Sequence, residues 1–478
     1  IPFKQDLLAL PKSLASDSAL PPPSPWLCVS RVRHSLSLRI PFEQDLLALP
    51  KSLVSDSALP PPSPWPCVSR VRHSSSLRIP FEQDLLALPK SLVRFRVHQH
   101  CSAPTIPVSI PWEICQRIIM LIEHTSLTRV TSTILSAAGA PTNHAEAVAQ
   151  HLVEANLKGH DSHGIVMLPS YVKGILDQQV DPHRHAEIIK DNNAIVSIDA
   201  GTGLGRVVGI EAMDTGIDRA KKYGMGCIAL GNAAHLGRIG AFAEHCADHG
   251  LVSMHYVNVV GHDPIAVAFG GRDRRFITNP YCCAVPRPDG QHVVLDMATT
   301  TVAAGKVRVA HMKGVQVPPQ SLVDENGIES TDPGVIFGAN PTGAMQPFGT
   351  HKGYGLMVIC ELLGGALGGL FTMQPEHPRM GATLNNMLSI LIDPNAVGDL
   401  QAFDQEVGAM IDYIYASTPA DGVDRVRLPG DPEKESTAHR KQHGIEIDPN
   451  SWESVLNSGE YAGLDRDEVA AMAQITHA

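Results

Sequence analysis

Ala194-Ile-Val-Ser-Ile-Asp199, then Ala200-Gly201-Thr-Gly203-Leu-Gly205, then a helical run from about Val207 to Tyr223, is the stretch on which the fold turns. A short β-branched run, a glycine loop and an amphipathic helix invite a dinucleotide-binding reading. The test is spacing. The GxGxxG fingerprint needs glycines at 201, 203 and 206, but position 206 is Arg. It also needs an acidic residue at the end of the next strand to hold the ribose. That strand, Gly226-Cys-Ile-Ala-Leu230, runs into Gly231-Asn232. Both requirements fail together, so the stretch reads as a non-Rossmann βαβ unit. Its glycines are expected to permit a tight turn and close helix packing.

Working outward, strands and helices alternate on both sides. Downstream come a helix over Ile239–His249, a strand over Leu251–Asn258, strands near Ala284 and over Val293–Asp296, helices over Thr301–Met312 and Lys352–Leu370, and a strand over Met387–Asp393. Upstream, Trp112–His124 and Thr131–Lys158 place apolar residues at helical spacing, with Thr142 expected to cap a helix and Glu146 in its first turn. This is an α/β pattern. Four regions are expected: a repetitive extension at 1–105, a helical subdomain at 106–190, an α/β domain at 191–435, and a tail at 436–478 that packs back and ends in a helix near Asp465–Ala473.

The extension is a tandem repeat. Ile1–Arg39 recurs as Ile40–Arg78 with four differences and begins again at Ile79. Each copy carries Pro-Pro-Pro-Ser-Pro-Trp, which suits neither helix nor central strand, so a disordered or loosely helical segment with no part in catalysis is expected. The chain opens on Ile rather than Met, which leaves its true start open. Over 478 residues, 43% are apolar and 18% charged, as in a globular enzyme. A net charge of −11 argues against nucleic acid or an anionic membrane as partner. Nine cysteines without a CxxC pair suit a reducing, cytoplasmic setting. No apolar run is long enough to span a bilayer, and no signal-peptide core is visible.

Five clusters could carry chemistry. Gly159-His-Asp-Ser-His-Gly164, followed by Leu168-Pro-Ser-Tyr171, packs polar groups between apolar runs. Asp161 and Ser162 could simply cap the next helix, and a metal on His160 and His163 would lack a nearby third ligand. Gly231-Asn-Ala-Ala-His235-Leu-Gly-Arg238 sets an imidazole among small residues. Imidazole titrates near neutrality, as alcohol oxidation requires, although a core or capping role is also open. His245 and His249, four apart, read as cations at a helix C-terminus. Phe348-Gly-Thr-His351-Lys352-Gly-Tyr-Gly355 opens an apolar helix and suits an anion. Leu295-Asp296-Met297-Ala298-Thr299 ends a strand ahead of Lys306, and Arg427-Leu-Pro-Gly430-Asp431-Pro432 is a turn that could be structural.

Taken in order, DSHG…LPxY, NxxHxG, Thr278-Asn-Pro280, DMATT, HKGYGL and LPGDPE resemble the malate/L-lactate dehydrogenase family over roughly Ile114 to Glu433. The resemblance implies a homodimeric α/β enzyme with a helical N-terminal subdomain and a mixed-sheet, non-Rossmann dinucleotide site. It would move a hydride between NAD or NADP and a small-molecule 2-hydroxy acid/2-oxo acid pair, without a metal. By motif position, His235 and His163 would be the catalytic histidines, with His235 favoured for proton transfer. Ser162 and Tyr171 would meet substrate. Asp296, Met297, Ala298, Thr299, His351, Lys352, Gly430, Asp431 and Pro432 would hold the cofactor. Many members carry Arg where this chain has Met167; a substrate carboxylate is therefore expected to need another cation, and Arg238 is named for it. The Asn258-Val-Val-Gly-His262 loop also departs from the family, and both departures point to a branch acting on broader 2-hydroxycarboxylates. The rival reading is an inactive relative that binds dinucleotide without turnover.

Overall fold

The structure is a computed structural model that describes residues 93–94, 109–110, 120–368, 371–377 and 379–477. The 39-residue repeats, and most of the expected helix over Trp112–His124, lie outside the described residues. Val93–Arg94 pairs antiparallel with Ser109–Ile110.

The site is organised by a seven-stranded sheet. Its strands are β1 Glu187–Asn192, β2 Ile195–Asp199, β3 Met225–Ala234, β4 Val252–Val260, β5 Tyr281–Val285, β6 Val293–Met297 and β7 Leu384–Ile392. They run in the order β6-β5-β4-β7-β3-β2-β1. Only β2 and β3 are parallel; every other neighbouring pair is antiparallel. One crossover helix, Gly205–Tyr223, therefore serves the sheet's single parallel pair, and among the described residues this sheet has no second parallel half to form a switch point. The failed glycine spacing had the right consequence. The core behind the sheet packs Val208, Met213, Ile228, Leu230, Phe242 and Leu391 together.

A helical layer precedes the sheet: α1 His124–Ala137, α2 Thr142–Leu157 and α3 Leu168–Leu176. The helical spacing over Thr131–Lys158 is divided at Gly139-Ala140-Pro141, just ahead of the expected helix start; Gly139 takes φ 112° and Pro141 has no N–H to continue the ladder. Pro141 occupies the N-cap, so Thr142 is the first helical residue and does not cap. Met120–Ile122 is extended, not helical, because Ile445–Ile447 and Thr476–His477 flank it in a three-stranded sheet. The C-terminal helices Pro449–Tyr461 and Arg466–Met472 bury Trp452, Val455 and Val469 against Leu127, Ile134 and Leu152 of the helical layer. Each such side chain contributes on the order of 2 kcal/mol of burial. Two further boundaries moved. The helix expected from Thr301 starts at Ala304, since Thr301 bonds Gln320 and Gln346 instead. The helix expected over Lys352–Leu370 is α-helical over His351–Cys360 and widens to a π-turn over Glu361–Ala366.

Candidate active site

His235 stands one residue beyond the end of β3, where ladder bonds stop and side chains take over. Asn386 Oδ1 accepts the N–H of Asn232 (2.9 Å), and Asn385 Oδ1 accepts that of Leu236 (2.9 Å), both from a bulged position of β7. The glycine loop closes the other side. A Cβ on Gly205 would lie 2.3 Å from the His235 carbonyl oxygen and 2.5 Å from that of Ala234. Glycine is thus required for the N-terminus of the crossover helix to approach the histidine's backbone. The loop expected to allow close packing does so at the candidate active site.

His163 ends the 3₁₀ turn Asp161–His163. Asn156, buried at the end of α2, builds this turn from within: its Nδ2 donates to Asp161 Oδ1 (2.7 Å) and its Oδ1 accepts from Ile165 N (2.9 Å). Gly164 is needed there, because a Cβ would sit 2.2 Å from Asn156 Oδ1. Asp161 is held by Arg440 of the C-terminal region (2.6 and 3.0 Å), and His160 Nε2 meets Glu433 Oε1 at 3.0 Å. Neither makes a side-chain cap bond to the turn; both tie it to the helix Asp431–His443.

The two imidazoles, far apart in the chain, come together with ring centroids 5.7 Å apart and planes 23° from parallel. Ser162 Oγ lies 3.1 Å from His163 Nδ1. Tyr171 places its hydroxyl 2.8 Å from His235 Nδ1 and 3.2 Å from the His235 carbonyl oxygen. Beside them lies a cavity of about 120 Å³, lined among others by Met167, Tyr171, Leu204, Ala234, His235 and His262. Burial, with His163, His151 and His262 nearby, pushes His235 down to about 3. Burial also lowers His163, opposed by Asp296. Burial thus favours the neutral form of both rings.

Arg238 does not face this cavity. Its guanidinium is buried between Glu154 (3.3 Å) and Glu244, and these carboxylates hold its pKa above the ordinary value against the effect of burial. The expected substrate cation is spent on an internal ion cluster that also includes Lys158. The remaining expected positions divide. Asp296 Oδ2 accepts the N–H of Gly240 (2.7 Å), the first residue of the helix Gly240–Asp248. Thr299 Oγ1 donates to Thr278 O (2.8 Å). Met297 and Ala298 are half-buried beside them. His351 and Lys352 are exposed in the first turn of their helix. Gly305 brings the two motif groups together, since a Cβ on it would reach Ser162 Cβ at 2.7 Å. Asp431 points inward and accepts from Tyr415 Oη (2.7 Å) and Leu428 N (2.8 Å), so the structural reading of the Gly430–Pro432 turn describes its carboxylate. Asn156, Asn385 and Asn386 were missed; the only signal for them was amide side chains in otherwise apolar stretches.

Residues 122–456 match the family model described as malate/L-lactate dehydrogenase. The chain is 41% identical over 338 residues to hydroxycarboxylate dehydrogenase B of Escherichia coli O157:H7, covering 70% of this chain and 92% of that one. It is 37% identical to an L-lactate dehydrogenase of Cupriavidus necator, covering 70% and 96%. Among solved structures, the sulfolactate dehydrogenase of Methanocaldococcus jannaschii superposes with a TM-score of 0.64 at 31% identity, covering 73% of this chain and 99% of that one. By this family match and these identities, the chain belongs to the malate/L-lactate dehydrogenase family, oxidoreductases of 2-hydroxy acids.

Proposed function

We propose that this chain interconverts a 2-hydroxy acid and its 2-oxo acid with NAD or NADP, using His235 as the proton carrier. The observation that carries this reading is that His235, stacked beside His163 and hydrogen-bonded to Tyr171, lines one cavity together with Tyr171. With Nδ1 engaged by Tyr171, Nε2 is the nitrogen left to exchange a proton with the substrate oxygen. In alcohol oxidation the Tyr171 hydroxyl donates to the His235 carbonyl and accepts from Nδ1–H, so that the bare Nε2 takes the substrate's hydroxyl proton and the ring becomes an imidazolium; in carbonyl reduction that imidazolium returns the Nε2 proton to the substrate oxygen and is left neutral. His163 beside it suits a donor to the same oxygen, where negative charge develops.

The donor set fits a dinucleotide: the exposed His351 and Lys352 side chains in the first turn of His351–Cys360 suit a pyrophosphate at the positive end of that helix. When bound, the nicotinamide supplies or accepts the hydride. The cavity wall includes apolar Met167, Leu204 and Ala234, while its Lys173 is paired with Asp177 and Arg238 lies outside it with Glu154 and Glu244, so the preferred substrates carry an apolar substituent rather than a second carboxylate. We take the enzyme to act in the cytoplasm as a homodimer, in keeping with buried, unbridged Cys246, Cys282 and Cys360 and with the family resemblance. Among the described residues no helix is long and apolar enough to cross a membrane.

The test is oxidation of NADH and NADPH with a panel of 2-oxo acids. Turnover fastest on apolar 2-oxo acids and abolished in His235→Ala is expected. Undiminished turnover in that variant removes His235 from the mechanism.

A further inference from the structure

Beneath His235 lies a third imidazole that the reaction does not use. His151, on α2, is fully buried, and its Nε2 is 2.9 Å from the carbonyl oxygen of Leu236. A carbonyl only accepts, so Nε2 carries the proton and Nδ1 is a bare lone pair; among the described residues Nδ1 has no hydrogen-bond partner. The ring lies against the next residue, Gly237, at φ 73°, where a Cβ would come within 2.3 Å of Nε2. Phe242 closes another side with ring centroids 5.9 Å apart.

The backbone after β3 is thereby held at consecutive groups. Tyr171 holds the His235 carbonyl, Asn385 the Leu236 N–H, and His151 the Leu236 carbonyl. We propose that His151 is a positioning residue: its Nε2–H clamps the Leu236–Gly237 peptide and so fixes where the His235 ring stands over the cavity. This rests on the reading of His235 as proton carrier. Burial, with Arg206 and Arg238 nearby, pushes His151 down to about 3, so the clamp stays a neutral donor throughout the working pH range. A second positive charge beside His235 would otherwise oppose its protonation.

A Gln at 151 places an amide N–H near the position of Nε2, whereas Leu fills the space without a donor. His151→Gln should retain kcat within about threefold and leave the pH–rate profile in place, while His151→Leu should lose kcat by about tenfold or more with a smaller change in KM. Equal losses in both variants, or a pH profile displaced by Gln, would overturn the proposal. Should Leu fail to fold, ¹⁵N-histidine spectra of the wild-type protein decide. Nε2 protonated and unchanging from pH 5 to 9 is expected for His151; a protonated Nδ1, or titration in that range, rejects the clamp. These spectra need no turnover. A wild type inactive on every 2-oxo acid would refute the dehydrogenase reading while leaving the clamp separately measurable through the His235 signals, expected to shift in His151→Leu and not in His151→Gln.

Discussion

Arg238 shows how a residue's type and its address in the chain can point to opposite roles. As a guanidinium three residues after a candidate catalytic histidine, it suits a substrate carboxylate. In the fold it is buried between Glu154 of α2 and Glu244 of the helix Gly240–Asp248, and Glu244 is also 2.7 Å from Lys158. Removing one member of a buried ion cluster leaves the others uncompensated, at a cost of about 3–5 kcal/mol. Arg238→Met should therefore lower the denaturation midpoint strongly while KM for the 2-oxo acid, measured on the folded fraction, stays unchanged. A variant of ordinary stability with a greatly raised KM would return Arg238 to the substrate. Tyr171 behaves oppositely. Its phenyl ring is replaced without loss in Tyr171→Phe, but both positions of its hydroxyl are lost, and with them control of the His235 tautomer. The expected result is a fall in kcat of about 10- to 100-fold with little change in stability, read by steady-state kinetics and thermal melting. Unaltered kcat would show that the hydroxyl is dispensable.

Among the elements, the glycine loop joins sequence to site most directly. Its failure as a dinucleotide fingerprint was legible from Arg206 alone, and its use as a packing device followed from glycine's missing Cβ. What it packs against was not legible, because the His235 carbonyl arrives from the far end of β3. The same limit explains the other departures. Helices whose apolar spacing was self-contained were read to within a few residues. Met120–Ile122 owes its extended form to strands from the C-terminus, and the π-turn at Glu361–Ala366 follows from Glu361 being drawn inward to Asn279 (2.7 Å) and Met373 N (2.6 Å). Both motif histidines and Tyr171 were found by sequence, whereas the amides and His151 that hold them needed the fold. Gly205→Ala tests the loop's role. A Cβ 2.3 Å from a backbone oxygen forces the crossover helix or the His235 segment to move. Overpacking of this kind costs about 1–3 kcal/mol, and a displaced imidazole should lower kcat by about tenfold or more. An alanine variant with wild-type kcat would show that the approach of helix to histidine is incidental.

For the whole molecule, the buried imidazoles couple the chemistry to acid stability. His151 and His235 are held down to about 3 by burial together with neighbouring charges, and His255, wedged mid-sheet between Ser389 Oγ (2.8 Å) and Ser253 Oγ (3.0 Å), by burial alone. In the unfolded chain each titrates near 6.5. Between these values the unfolded state binds more protons than the folded one, so stability rises with pH across the interval. The stabilisation is complete above about pH 6.5 and is lost as pH falls towards 3. Each group contributes on the order of 1 kcal/mol per pH unit, so three acting together remove a large part of a typical domain's 5–15 kcal/mol within two to three units. Urea midpoints should accordingly be similar at pH 8 and pH 7 and drop steeply between pH 6 and pH 4. His255→Gln, distant from the proposed proton path yet part of the same titration, should flatten that slope by about one proton while leaving the kcat pH profile unchanged. Equal midpoints at pH 8 and pH 5 would mean that these rings are protonated in the folded state, and that neutral His235 is not the form from which catalysis starts.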